Sequence, residues 1–506
     1  MQTNILDYLN QTAALKPDKT AFADDRDALT FGQLQAQRGA VGTWLHQKGV
    51  YREPVVVYMN RHPKEVAAFY GVVTGGCFYV PVDEEMPKGR IQLILNTVGA
   101  RVIICDAATK KTAEALDFQG DIVLYDEISR TPPDQEALQS IRDRAIDTDL
   151  VYIMFTSGST GVPKGVAVCH RSLIDYIEQL SAVMEFNEET VFGNQTPLHF
   201  DASLKEVYPT LKFGATTYLI PKNLFMFPVK LVEFLNQKRV NTICWVVSAL
   251  TMVSAFGAFK TAVPEYLRTI AFGGEVFPVK QYQKWKAALP EAKFVNLYGP
   301  TEGTGVCCYY QVDREFGPDE VIPIGHSFPN KEILLINDRN QRAAQGEVGE
   351  ICIRGASLAL GYYNNPEKTG EAFVQNPLNT AYPERIYRTG DLGRYNERGE
   401  LQFVSRKDYQ IKHMGHRIEL GEIEANVNAL EEVKTAGCIY DKARDKILLY
   451  YEGEMEEKLV AAALKDRLPR YMIPNHICRL ERMPLTANGK VDRVTLKSNY
   501  QEGKEK

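Results

Sequence analysis

A chain of 506 residues is too long for one ordinary domain and predicts at least two folding units. Its 44% apolar and 24% charged content excludes a disordered or fibrous chain, and a net charge of −5 with no apolar run of spanning length gives no surface for nucleic acid and no membrane insertion. Nine cysteines without CxxC or Cys/His spacing, and a start lacking a basic-then-apolar leader, predict reduced thiols in a cytoplasmic protein.

In chain order, residues 4–48 read as helix, strand and helix, with Leu29-Thr30-Phe31 starting the second helix. Residues 55–59 form a β-branched strand and 63–73 the helix after it. Strands follow at 77–83, 102–105 and 122–125, and this alternation predicts a wound α/β sheet. Residues 126–148 are polar and read as a surface connection. From 166 to 335 the alternation repeats, which predicts a second wound sheet packed against the first. Residues 347–355 (EVGEICIRG) alternate at period two, as a strand of a smaller antiparallel layer does. A boundary is expected near Arg406-Lys407-Asp408. The fold class is therefore α/β: a large N-terminal domain over 1–407 and a small, mobile α+β domain over 408–506.

The chain is organised around residues 155–165, Phe-Thr-Ser-Gly-Ser-Thr-Gly-Val-Pro-Lys-Gly, which follow an apolar strand at 150–154. Three glycines let backbone N–H groups converge on an anionic oxygen. Thr156, Ser157, Ser159 and Thr160 add hydroxyl donors, and Lys164 adds a point charge suited to phosphate. The pattern is not a Walker loop, because Val162 and Pro163 separate Gly161 from Lys164, and Gly165 stands where a magnesium-binding hydroxyl belongs.

T-S-G-S-T-G-V-P-K-G resembles the phosphate loop of the adenylate-forming superfamily, and further blocks extend that resemblance over nearly the whole chain. The superfamily includes acyl-CoA synthetases, luciferases, amino-acid adenylation domains of nonribosomal peptide synthesis and D-alanine–carrier protein ligases. The resemblance implies ATP and Mg²⁺ as cofactors, with Thr156, Ser157, Gly158, Ser159, Thr160, Gly161 and Lys164 at the phosphates. In Asn296-Leu297-Tyr298-Gly299-Pro300-Thr301-Glu302 it implies Tyr298 on adenine, Thr301 at the α-phosphate and Glu302 orienting Mg²⁺. Gly274 and Glu275, after a strand at 269–272, fall on the adenine side. Asp391 in Y-R-T-G-D-L-G and Arg406 become the ribose contacts, Asp408 the hinge, and Lys490 in P-L-T-A-N-G-K-V-D-R the catalytic lysine. The implied mechanism is attack of a carboxylate on the α-phosphorus of ATP, then rotation of the small domain and transfer of the acyl group to a thiol.

Residues 413–424 (HMGHRIELGEIE) resemble the block that faces the active site during thioester formation, with Gly415 and Gly421 admitting a pantetheine arm. Their charge density predicts a solvated face for Glu422 and Glu424. His199-Phe200-Asp201-Ala202-Ser203 bears on the substrate. The resemblance pairs Asp201 with an amino acid's ammonium group, against a competing reading in which Asp201 caps the helix beginning near Ala202. Carried over position by position, the pocket is Ala202, Lys205, Cys244, Ala271, Gly273, Leu297, Gly305 and Val306. Gly273, Gly305 and Ala271 are expected to leave room for a side chain of medium size. Lys205 either meets an anion there or snorkels out to water. D-alanine ligases typically carry cysteine where Gly273 stands. No carrier-domain serine motif follows Arg493, so the expected partner, a carrier protein bearing phosphopantetheine, is either separate or has been cut away. An acyl-CoA ligase is disfavoured by Asp201, and a non-catalytic nucleotide-binding module by the presence of Lys490, Asp391 and Glu302.

Overall fold

A computed structural model describes residues 2–158, 161–317, 320–486 and 491–503. Ser159, Thr160 and Lys490, three of the expected site residues, lie outside them. The chain divides into two compact units. One comprises Met1–Glu84, Val98–Met154 and Gly165–Lys407, and the other Glu85–Thr97, Phe155–Lys164 and Asp408–Lys506.

The first unit holds three sheets. In the seven-stranded one the order is Gly361–Tyr362, Lys164–Cys169, Leu150–Thr156, Phe78–Val82, Pro54–Tyr58, Val102–Cys105 and Asp121–Leu124. Its inner strands pair in parallel. Pro54–Tyr58 and Phe78–Val82 are buried at every position, as expected of a parallel sheet covered on both faces. The nine-stranded sheet runs from His326–Ser327 through Lys293–Tyr298, Thr269–Gly273 and Thr242–Val246 to Thr20–Ala23 and Ala28–Thr30.

Those last two strands correct the expected helix–strand–helix opening. They form a hairpin on the edge of the second sheet, through parallel pairing of Phe22 with Thr217. Thr30 then starts the helix Phe31–Gln47 with a capping box, its Oγ1 accepting from Gln33 N at 3.2 Å and its N donating to Gln33 Oε1 at 2.9 Å. Residues 126–148 are also more ordered than their polarity suggested. They contain most of the helix Tyr125–Ile128 and all of Gln135–Arg144, which is capped by Asp134 and anchored by Ile141.

The third sheet is antiparallel and five-stranded, built on Lys331–Ile336, Gly349–Gly355 and Arg385–Tyr395. The alternation of Gly349–Gly355 does not mark one wet face. Ile351 and Ile353 enter the main core, while Cys352 enters a separate small cluster with Leu334, Ile336 and Ile386.

In the second unit, the hairpin Gln410–His413 and His416–Glu419 leads into the helix Leu420–Asn428. A three-stranded sheet follows, with Val433–Asp441 antiparallel and His476–Leu480 parallel to the central Lys446–Gly453. Ile423, Val427, Leu449, Val460 and Leu464 form the core beneath it. No helix among the described residues is long and apolar enough to cross a membrane.

Candidate active site

Within the first unit the Lys293–Tyr298 strand ends in Tyr298, whose hydroxyl donates to Asp391 Oδ2 at 2.5 Å. The guanidinium of Arg406 pairs with the other oxygen, Oδ1, and donates to Thr389 O at 3.1 Å. The two expected ribose residues are thus brought together by pairing of their strands, Asp391 opposite Arg406. Tyr298 joins them through its phenol. Burial, with the Asp391 carboxylate beside it, pushes that phenol well up, so it remains a donor at neutral pH. Each Asp391 oxygen has a second lone pair, so a cis-diol can share the carboxylate with Arg406.

Beyond Tyr298 the 3₁₀ turn Thr301–Gly303 carries Glu302, fully buried, with Tyr362 donating to its Oε1 at 2.7 Å. No group of three His, Cys, Asp or Glu side chains able to hold a metal exists among the described residues. A single carboxylate nevertheless fits magnesium, which is commonly held by one or two carboxylates with the substrate's phosphates. Asn296 is turned to another task, donating from Nδ2 to Pro323 O at 2.8 Å. Glu275 accepts from Ser248 N at 2.9 Å, at the start of the helix Val247–Ala255. Gly274 has φ +85° and open space where a Cβ would stand.

Asp201 opens the 3₁₀ turn Asp201–Ser203, and Ser203 precedes the helix Leu204–Phe213. Neither element has a side-chain cap, so the capping reading of Asp201 does not hold. The pocket residues Cys244 and Ala271 are buried neighbours in register on adjacent strands. Gly273 and Gly305 do not provide the room expected of them. A Cβ at Gly273 would stand 2.2 Å from Leu297 O, and one at Gly305 would stand 2.6 Å from the ring of Tyr176. The missing side chains make way for the protein itself. Val306 is fixed through its carbonyl, which accepts from Lys331 Nζ at 3.0 Å, and burial lowers that lysine to about 8.

Two residues absent from the sequence reading matter here. Glu206, fully buried, accepts from Asn194 Nδ2 and, at 3.3 Å, from Cys244 N. Burial raises it to about 7. Tyr176, on the helix His170–Met184, closes the space behind Gly305. A glutamate beside a lysine and a tyrosine in an amphipathic helix carry no sequence signal that sets them apart from surface and core residues.

The second unit contains residues 155–158 and 161–164 of the expected phosphate loop. Gly158 N donates to Glu422 Oε2 at 3.0 Å, so a backbone donor of the loop holds an anionic oxygen. Ser157 Oγ donates to Arg417 O at 2.9 Å and accepts from Glu419 N at 3.2 Å, while Lys164 Nζ lies 3.6 Å from Glu419 Oε1. Gly161, at φ +84°, donates to Gly158 O at 3.0 Å. Thr156 Oγ1 is buried without a hydrogen-bond partner among the described residues.

The solvated face expected for Glu422 and Glu424 is overturned. Glu422 is fully buried against Arg90, and Glu424 accepts two hydrogen bonds from Arg493 NH2, at 2.5 and 2.6 Å. Charges withdrawn from water persist when paired, and both the buried Glu422 and the half-buried Glu424 are. Asp408, the first residue of this stretch, accepts from Gln410 N at 3.2 Å.

Comparisons with known proteins agree with this architecture. The family model described as "AMP-binding enzyme" matches residues 9–363. The D-alanine–D-alanyl carrier protein ligase of Bacillus licheniformis is 32% identical over 97% of this chain and 99% of its own. Tyrocidine synthase 3 of Brevibacillus parabrevis is 34% identical over 97% of this chain, which spans only 8% of that synthetase. In fold, the chain is similar to the Vibrio cholerae adenylation domain AlmE in complex with glycyl-adenosine-5'-phosphate, with TM-score 0.85, 21% identity and coverage of 99% and 98% of the two chains. With the family model spanning well over half of the sequence and a full-length relative above 30% identity, this chain belongs to the AMP-binding enzyme family.

Proposed function

We propose that the chain activates an amino acid with ATP, releasing pyrophosphate, and passes the aminoacyl group to the phosphopantetheine thiol of a carrier protein. The observation that carries the amino-acid reading is Asp201, a carboxylate that caps neither the turn it opens nor the helix after it and whose charge acts on the buried phenols of Tyr152 and Tyr176. Asp201 would take the substrate's ammonium group, and Asp391 with Arg406 would hold the ribose of ATP. Lys490 would neutralise charge on the carboxylate and α-phosphate as the new bond forms. Magnesium, held through Glu302 and the phosphates, would supply charge neutralisation for the leaving pyrophosphate. Residues 1–407 would serve as the nucleotide and amino-acid core, and 408–506 as the mobile lid with its hinge at Asp408. The nine free, buried cysteines suit a cytoplasmic protein.

A second reading, activation of D-alanine, is favoured by the ligase that this chain matches over 99% of that relative's length. Pyrophosphate exchange with L- and D-amino acids separates the two. For the shared claim, Asp201→Ala should lower kcat/KM for the amino acid by about a hundredfold or more, the scale of leaving a buried ammonium unpaired, and leave ATP affinity nearly unchanged. An unchanged specificity constant would refute the anchoring role.

A further inference from the structure

A cavity of about 370 Å³ is lined by residues of the helices Asp7–Leu15, Phe31–Gln47 and Gln135–Arg144, all in the first unit. None of its lining residues is among those expected to meet ATP or the amino acid. Its size falls in the lower part of the ~300–1,000 Å³ range of small-molecule sites. Leu6, Val73, Leu138 and Ile141 contribute apolar surface to its wall, and Arg38 contributes a guanidinium.

Arg38 is 8% exposed and directs its donors to neutral oxygens. Nε donates to Gln35 Oε1 at 3.0 Å, Nη1 to Thr74 Oγ1 at 3.0 Å, and Nη2 to Asn10 Oδ1. One N–H on each terminal nitrogen is left over. The charge of Asp7 acts on Arg38, but both oxygens of that carboxylate accept from Arg142, from Nε at 3.1 Å and from Nη2 at 2.6 Å. Asp149 is matched by Arg52, whose Nη2 stands 3.0 Å from Oδ1. His170 adds no charge, because burial pushes it down to about 4. Of the charges around the cavity, Arg38 alone makes no ion pair among the described residues.

A buried charge is costly unless it is paired. Burial lowers Arg38 to about 10, which still leaves it cationic at neutral pH. Water can accept from the two spare N–H groups, but it brings no charge. A carboxylate brings one negative charge and two oxygens, which answers both needs. A phosphate dianion carries more charge than one unmatched guanidinium neutralises, and the apolar part of the wall would strip it of water.

We propose that this cavity is a ligand site separate from the nucleotide and amino-acid sites, and that it takes a small organic acid with an apolar body. The acid's carboxylate pairs with Arg38, and its hydrocarbon part packs against Leu6, Leu138 and Ile141.

The test uses the full chain with 4-bromobenzoate, 4-bromobenzamide and inorganic phosphate. Crystals soaked in a concentration series of 4-bromobenzoate should show anomalous scattering from bromine inside this cavity, which separates it from binding in the amino-acid pocket. The amide should need at least tenfold higher concentration for the same bromine occupancy there, since it offers Arg38 no charge. Arg38→Gln should weaken the acid by a similar factor, and Arg38→Lys, which keeps the charge but not the planar fork, by less. In solution the acid should raise the melting temperature of wild type more than that of Arg38→Gln. If the Arg38 variants do not fold, the bromine position and the acid-to-amide ratio still decide. No bromine in the cavity, equal occupancy by acid and amide, or unchanged occupancy in Arg38→Gln would overturn the proposal. So would binding at crystal concentration only, or displacement of the acid by equimolar phosphate.

Discussion

Replacing Glu206 with glutamine should change how the stability of the larger unit depends on pH. The side chain is fully buried on the helix Leu204–Phe213. Burial disfavours its ionised form, and the hydrogen bonds from Asn194 and Cys244 N offset only part of that, leaving the carboxyl at about 7 against an ordinary 4.5. Between those two values the folded state holds a proton that the unfolded state has released. Glu206 therefore contributes stability below pH 4.5 that is lost as the pH rises through about 7. At about 1.4 kcal/mol per pH unit, the loss is about 3 kcal/mol by pH 8.

Glutamine cannot titrate. Any fixed cost, such as its amide facing the Asn194 donor, is the same at every pH and drops out of the slope. The assay is urea denaturation at pH 5, 6, 7 and 8 at constant ionic strength, followed by tryptophan fluorescence. Trp44, Trp245 and Trp285 all lie in the same unit as Glu206, so the signal reports its unfolding. The stability difference should move in favour of Glu206→Gln by about 3 kcal/mol across the range. Parallel pH profiles for the two proteins would refute the argument, because they would mean that Glu206 titrates alike in the folded and unfolded chain.

Two other outcomes are expected. Lys490→Ala should nearly abolish adenylate formation and spare thioester formation from supplied aminoacyl-adenylate, as single-turnover assays of each half can show; equal loss in both would reject the two-step role. Arg90→Met removes the partner of a buried carboxylate and should destabilise the second unit by about 3–5 kcal/mol. Much of that should return in the double variant Arg90→Met with Glu422→Gln, which removes the stranded charge as well, and denaturant unfolding of both variants measures it.

The order and type of most elements follow from the residues alone. The strands are short apolar runs such as Val55-Val56-Val57, and the loops carry motifs whose composition states their chemistry, as at 155–165. The sequence's resemblance to a known family assigned Tyr298 to adenine and Asp391 with Arg406 to the ribose, and the structure joins the three by hydrogen bonds.

What the sequence left to the tertiary structure concerns partners distant along the chain. Glu422 reads as a surface charge until Arg90, 332 residues earlier, is brought against it. Gly273 and Gly305 read as empty space until Leu297 O and the Tyr176 ring are found to fill them. A tyrosine in a helix gives no sign of whether its hydroxyl is satisfied, since that depends on which acceptors other elements bring within about 3 Å. Residue type and spacing encode local conformation and the chemistry a side chain can offer. Which charge is compensated, which donor is left over, and how much room a substrate has are set by atoms that only folding brings together.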